Sequence, residues 1–231
     1  MPKFEISKKQ IDFYLENKSK LVDKYLNAFP QIIDPDAVRD LFTPIGYDRT
    51  NVSEFQNVCK LLTEDIFQEI LRRNIGIVSK VIFAGGLPAT GKSSHLRTFV
   101  QNEIIFDGTI NDEDKLLGYI RKSMQLGYLV EIFIYSCEPK RAFESNLNRG
   151  FLFGRYVPIS HYVKVAKSLN NREKLIRIHF QNQVKIFNFE HTKFEGKLKK
   201  FRPIIIKRDE LETIAKGHKF RDKRTFKKVI A

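Results

Sequence analysis

Apolar residues at the start of the chain recur among charges at helical spacing: Ile6, Ile11, Phe13, Tyr14, Leu15, Leu21, Val22, Tyr25 and Leu26. This predicts one or two amphipathic helices that pack on something larger. Pro30, Pro35, Pro44 and Gly46 then punctuate the chain, with a short helix expected from Asp36 to Phe42. Ser53 reads as the cap of a helix running to about Asn74, with Phe55, Val58, Leu61, Leu62, Ile66, Phe67, Ile70 and Leu71 on its apolar side.

From Ile75 the pattern changes. Ile75 to Ala84 is a β-rich apolar run, a glycine turn follows, and Lys92 to Gln101 is helical in pattern. "EIIFDGT", from Glu103, is a second short strand ending on an acid. Asn111, Asp112, Glu113 and Asp114 mark a helix start, Leu116, Leu117, Ile120 and Met124 form its apolar side, and Gly127 stops it. "YLVEIFIY" is a strand, Pro139 to Asn148 a helix and "RGFLFGRYVP" a loop. Ser160 to Ile178 is a helix, "VKIFNF" from Val184 a strand, and "RPIIIK" from Arg202 a further strand or an edge hairpin partner. Strands alternating with helices predict a three-layer α/β fold with a mainly parallel sheet and an N-terminal helical extension. There is no internal repeat or linker, so one domain is expected: a helical part over 1–74, a core over 75–192 and a basic segment over 193–231.

Composition adds little to the fold but much to the list of partners. With 231 residues and 42% hydrophobic content the chain can bury a sizeable core, and its 20 Phe and 8 Tyr belong either there or stacked on bases. Residues 193–231 hold 14 Lys and Arg against five Asp and Glu, so +9 of the net +14 lies in the last 39 residues. Such a segment suits nucleic acid, another anionic polymer or an anionic lipid surface, and is equally a solvated basic tail. Cys59 and Cys137 have no metal-ligand or disulfide spacing, which fits a reducing cytoplasm. The apolar runs fall short of the ~20 residues of a membrane span, and no signal-peptide core follows Lys3 to Lys9, so no membrane partner is expected.

The chemistry concentrates in "VIFAGGLPATGKSSHL". Gly86-Leu87-Pro88-Ala89-Thr90-Gly91-Lys92-Ser93 satisfies G-x-x-x-x-G-K-[ST] between an expected strand and an expected helix, and Ser94 follows it. Glycines let backbone amides turn toward phosphate oxygens, Lys92 supplies a cation for the β and γ phosphates, and Ser93 supplies a hydroxyl for Mg²⁺. The cofactors implied are therefore ATP or GTP and Mg²⁺. Asp107, at the end of Ile104-Ile105-Phe106, is placed to hold the metal or to orient and deprotonate an acceptor hydroxyl; as a bare residue it also starts an Asp-Gly turn. Phosphoryl transfer calls for further cations, and Arg149 and Arg155 in "NRGFLFGRYVP" are the candidates.

The ordered set of "DPDAVRDLF", "FAGGLPATGKSS", "IIFDGTI", "GYLVEIFIY" with "EPKRAFE", and "GRYVP" resembles the zeta-toxin-like P-loop kinases over about Asp34 to Phe189. The resemblance implies a phosphotransferase acting on a hydroxyl of a small molecule or sugar nucleotide such as UDP-N-acetylglucosamine, with toxicity and an antitoxin protein as a candidate partner. By position it assigns Lys92 and Ser93 to nucleotide and Mg²⁺, Asp107 and Thr109 to the acceptor and metal region, and Arg149 and Arg155 to the transferring group. The best-known members carry a further strand and helix, with an acid that acts as base, between the cradle helix and the acid-Gly-Thr strand; here only Ser94 to Phe106 intervene. The alternatives are a kinase acting on nucleic-acid ends and a non-catalytic nucleotide-binding switch with a basic docking segment.

Overall fold

The first helix, α1 (Lys8–Ala28), starts at a capping box in which the Ser7 hydroxyl accepts from the Gln10 amide and the Gln10 side chain accepts from the Ser7 amide. Its buried Tyr14, Leu21, Val22, Tyr25 and Leu26 lie against α3 (Val52–Arg73), whose own buried residues recur three and four apart. The computed structural model describes residues 5–98, 102–108, 112–154, 156–191, 196–199, 203–220 and 222–231. Between α1 and α3 run the two-residue strand β1 (Ile32–Ile33) and the short helix α2 (Pro35–Asp40).

The remaining elements alternate. They are β2 (Lys80–Gly86), α4 (Lys92–Leu96), β3 (Glu103–Asp107), α5 (Glu113–Gln125), β4 (Leu129–Ser136), α6 (Pro139–Phe153), α7 (Ile159–Phe180) and β5 (Lys185–His191). The strand β6 (Gly196–Leu198) and the helices α8 (Arg208–Gly217) and α9 (Lys223–Ile230) close the chain. The strand order is β1-β3-β2-β4-β5-β6, in which the first five strands are parallel and β6 runs antiparallel to β5. The fold is therefore α/β with a mainly parallel sheet.

Both faces of this sheet are buried, which is why its strands read as continuous apolar runs. Phe83 and Phe106 point to the face that carries Phe67 of α3 and Tyr119 of α5, with ring centroids between 4.1 and 6.3 Å. Burying a Phe side chain contributes about 1.5–3 kcal/mol, so this cluster anchors the strands whose ends matter below. Ile82, Ala84, Ile105, Phe133, Tyr135 and Phe189 form a second cluster on the opposite face, with Leu96 of α4. Among the described residues no helix is long and apolar enough to cross a membrane.

Several sequence expectations need correction. The first core strand begins at Lys80 rather than Ile75, because Gly76 takes a positive φ of 76° and turns the chain, leaving Ile75 and Ile77 exposed. The cradle helix ends at Leu96, and residues 99–101 lie outside the described part. "RGFLF" is no loop: α6 continues through it and stops only at Gly154, whose φ of 78° suits a helix terminus. Residues 203–207 are irregular, and the edge hairpin partner is β6. The basic segment is no loose tail, since Ile204, Leu211, Ala215 and Val229 are buried.

Candidate active site

Parallel sheets bind ligands beyond the carboxyl ends of their strands, where the strand order reverses. Here that place is the end of β2, since β3 lies on one side of it and β4 on the other. Gly86, the last residue of β2, pairs with Tyr135 of β4 so closely that a Cβ would stand 2.7 Å from the Tyr135 carbonyl oxygen. Only glycine fits. Ala89 and Gly91 then take left-handed conformations, φ 62° and 82°, which turn the chain back into α4. A non-glycine residue held there stores local strain, a feature that collects at ligand-binding loops.

The cradle is tied from behind. The Tyr162 hydroxyl of α7 shares its proton between the Pro88 carbonyl at 3.0 Å and the Ala142 carbonyl of α6 at 3.2 Å, so α7 ties the loop. Leu87 is buried, whereas Ser93 and Ser94 are exposed at the mouth. Thr90 is 4% exposed and its hydroxyl has no hydrogen-bond partner. An orphaned buried hydroxyl within the cradle loop fits a phosphate oxygen.

Lys92 is ion-paired with Asp107 at the end of β3, and both side chains are largely buried. Burial pulls the Lys92 pKa down to about 8, Asp34 and Asp36 pull it back up, and Arg149 adds to the lowering. Lys92, Asp107 and Arg149, three of the sequence-derived candidates, thus converge. Arg149 reaches the site from α6, with its guanidinium 3.9 Å from the Asp36 carboxylate. Thr109 and Arg155 lie outside the described residues. Beyond Arg155 in the chain, the backbone of Val157 makes two 3.1 Å hydrogen bonds with the Asn146 side chain.

The residues that sequence reasoning missed are Asp34 and Asp36. Ile32 and Ile33 pair in parallel register with Ile105 and Phe106, so the next residue along each strand, Asp34 and Asp107, end neighbouring strands side by side. Asp34 caps α2 by accepting from the Asp36 amide at 2.8 Å, and its own amide donates to the Tyr25 hydroxyl at 2.7 Å. Burial and the neighbouring Asp36 raise the Asp34 pKa, while Lys92 opposes the rise. Asp36 is ion-paired with the buried Arg39, which also donates to Gln56 at 2.7 Å. The readable signal was the pattern apolar-apolar-Asp in "IID", the same as in "IIFD", but two residues are too short a run to announce a strand.

Among the described residues no group of three or more His, Cys, Asp or Glu side chains is arranged to hold a metal ion. Mg²⁺ commonly binds through one or two carboxylates or hydroxyls, together with phosphate oxygens and water, and Ser93 with Asp107 suits that donor set.

The zeta toxin family model matches residues 100–194, which take in β3 to β5 and leave the cradle outside. The likeness to the zeta-toxin P-loop kinases carried by the motifs is borne out by this match. A solved structure from the PezAT chromosomal toxin–antitoxin system of Streptococcus pneumoniae is also similar, with 12% identity, a TM-score of 0.39, and coverage of 71% of this chain and 93% of that one. No curated protein sequence matches the chain.

Proposed function

We propose that the protein is a Mg²⁺-dependent phosphotransferase that moves the γ-phosphoryl group of ATP or GTP to a hydroxyl on a small molecule or sugar nucleotide. The observation that carries this reading is the meeting of Lys92, Asp107, Asp34 and Arg149 at the mouth of a glycine cradle. A cradle alone suits any nucleotide-binding protein. Carboxylates of two kinds beside it suit transfer.

The backbone of Gly86 to Ser93 and the Lys92 ammonium bind and orient the phosphates, and Lys92 leaves Asp107 to do so. When bound, Mg²⁺ supplies charge neutralisation on the phosphate oxygens, and Ser93 and Asp107 are the residues that would hold it. Arg149, steadied by Asp36, adds positive charge where the transferring group becomes most negative. Asp34 accepts the proton of the acceptor hydroxyl: burial and Asp36 raise its pKa, which makes it a better base than an exposed carboxylate, while Lys92 opposes the rise. This division leaves Asp107 to the metal and supplies the base that the shortened core between Ser94 and Phe106 lacks.

The rival reading, a non-catalytic switch, drew its support from that missing acid. Asp34, read as that base, counts against it.

The test is incubation with γ-labelled ATP and Mg²⁺ in the presence of UDP-N-acetylglucosamine or other hydroxyl acceptors, with Lys92→Ala as control. Label on an acceptor beyond stoichiometric yield, lost in the control, is the expected result. Nucleotide binding with no turnover on any acceptor would return the switch reading to first place.

A further inference from the structure

The basic C-terminal segment is built onto the core. Asn170 of α7 brackets Ile204, donating to its carbonyl at 3.0 Å and accepting from its amide at 2.8 Å. Leu211, Ala215 and Val229 are buried beneath α8 and α9, and Arg208 donates to the Ile230 carbonyl at 2.8 Å, closing α9 onto the start of α8. This packing decides which side of α9 meets water. Lys223, Arg224, Lys227 and Lys228 are exposed, and among the described residues none of them is ion-paired. Lys223 with Lys227 and Arg224 with Lys228 are four apart, giving two rows of cations whose members lie about 6 Å apart along the helix. The one acid after Glu212, Asp222, is occupied in accepting from the amide and hydroxyl of Thr225.

A second feature lies just ahead of α9 in the chain, where α8 ends. A hollow of about 360 Å³ lies between the end of α6 and the end of α8, lined by Asn148, Phe151, Leu152, Gly217, His218 and Lys219. Phe151 and Leu152 are 44% and 67% exposed, and Nε2 of His218 is buried without a hydrogen-bond partner. Aromatic contacts continue from His218 to Phe220 at 5.1 Å and from Phe220 to Tyr156 at 5.4 Å, and the Tyr156 ring lies against Gly150, next to Arg149.

We propose that this face binds single-stranded nucleic acid. Lys219 and the exposed cations of α9 hold the phosphate backbone, and the hollow takes an unstacked base against Phe151, beside the His218 ring. A membrane surface fits less well, because an interfacial helix needs a free apolar side. That side of α9 is already used: Val229 is fully buried and Phe226 packs on Phe220 at 5.4 Å. A duplex offers no base to the hollow. The bound strand abuts the helix that carries Arg149, yet the inference does not depend on phosphoryl transfer.

The test is fluorescence anisotropy of a labelled oligothymidylate and of the same strand as a duplex, titrated across salt with the full chain and with Lys92→Ala. The single strand should bind more tightly than the duplex, with a log–log salt slope of about −3 for four or five phosphate contacts. The variant K223Q/R224Q/K227Q/K228Q should flatten that slope, and Phe151→Ala should weaken binding about fivefold or more with the slope unchanged. Lys92→Ala should bind as the parent does, which separates this proposal from the fate of the kinase reading. Circular dichroism establishes that each variant is folded; should the quadruple variant not fold, Lys223→Gln and Lys228→Gln singly should each remove about 0.7 of the slope. An unchanged slope in the charge variants, equal binding of duplex and single strand, or tighter binding to phosphatidylcholine–phosphatidylserine vesicles than to the oligonucleotide would overturn it.

Discussion

Replacing Asp34 by asparagine separates what this residue does for the fold from what it does for the chemistry. Asparagine caps a helix about as well as aspartate, so the hydrogen bond from the Asp36 amide survives in Asp34→Asn. The Tyr25 hydroxyl holds the backbone of residue 34, and the β1–β3 pairing is backbone as well, so neither depends on the side chain. Loss of the charge also removes the burial penalty that raises the Asp34 pKa. A carboxylate with a raised folded pKa lowers stability as pH rises through that pKa, so at neutral pH the amide should be neutral or slightly stabilising. Asp34→Ala, by contrast, loses the cap at a cost of about 1 kcal/mol, or about 2–4 °C in Tm for a chain of this size. If Asp34 is the general base, both variants should lose about 10²- to 10⁴-fold in transfer rate, or about 2.7–5.4 kcal/mol of barrier, a loss that exceeds any change in nucleotide affinity from the lowered Lys92 pKa. The assay is initial-rate transfer from γ-labelled ATP beside calorimetric nucleotide titration and a thermal melt. Transfer by Asp34→Asn within about threefold of the parent would refute the assignment, since a general base contributes about 10²-fold or more.

Three further outcomes follow from the same geometry. Lys92, depressed to about 8 by burial, meets phosphate only when protonated, so nucleotide affinity should be flat below that pH and fall up to about tenfold per unit above it. A titration series in which Lys92→Ala shows the same slope would assign the effect elsewhere. Gly86→Ala should destabilise by about 1–3 kcal/mol, because its Cβ would press on Tyr135 backbone atoms held in the β2–β4 ladder; an unchanged melting temperature would contradict the close approach. Tyr162→Phe should cost about 0.5–1.5 kcal/mol and weaken nucleotide binding, since it unties Pro88 from α7, and a variant with parental affinity would show that the cradle keeps its shape without that tie.

What the sequence determined by itself is local. The cradle was legible because each of its residue types answers a local demand: glycine for close approach or left-handed φ, lysine for charge and serine for a hydroxyl at the helix start. The strand–helix alternation was legible because buried parallel strands and amphipathic helices leave different periods in the chain. Family likeness over Asp107 and Arg149 followed from the same kind of ordered local signal.

Tertiary structure decided the rest. Asp34 lies 58 positions before Lys92 in the chain, and only the pairing of Ile32 and Ile33 beside Ile105 and Phe106 sets it next to Asp107. A strand of two residues has no period to read, and strand order is a property of the whole sheet. Likewise, the exposed cations of α9 became a surface only once Val229 and Phe226 had turned their side of that helix inward. Charge is visible in a sequence, but the direction in which it faces is set by what the opposite side of the helix buries.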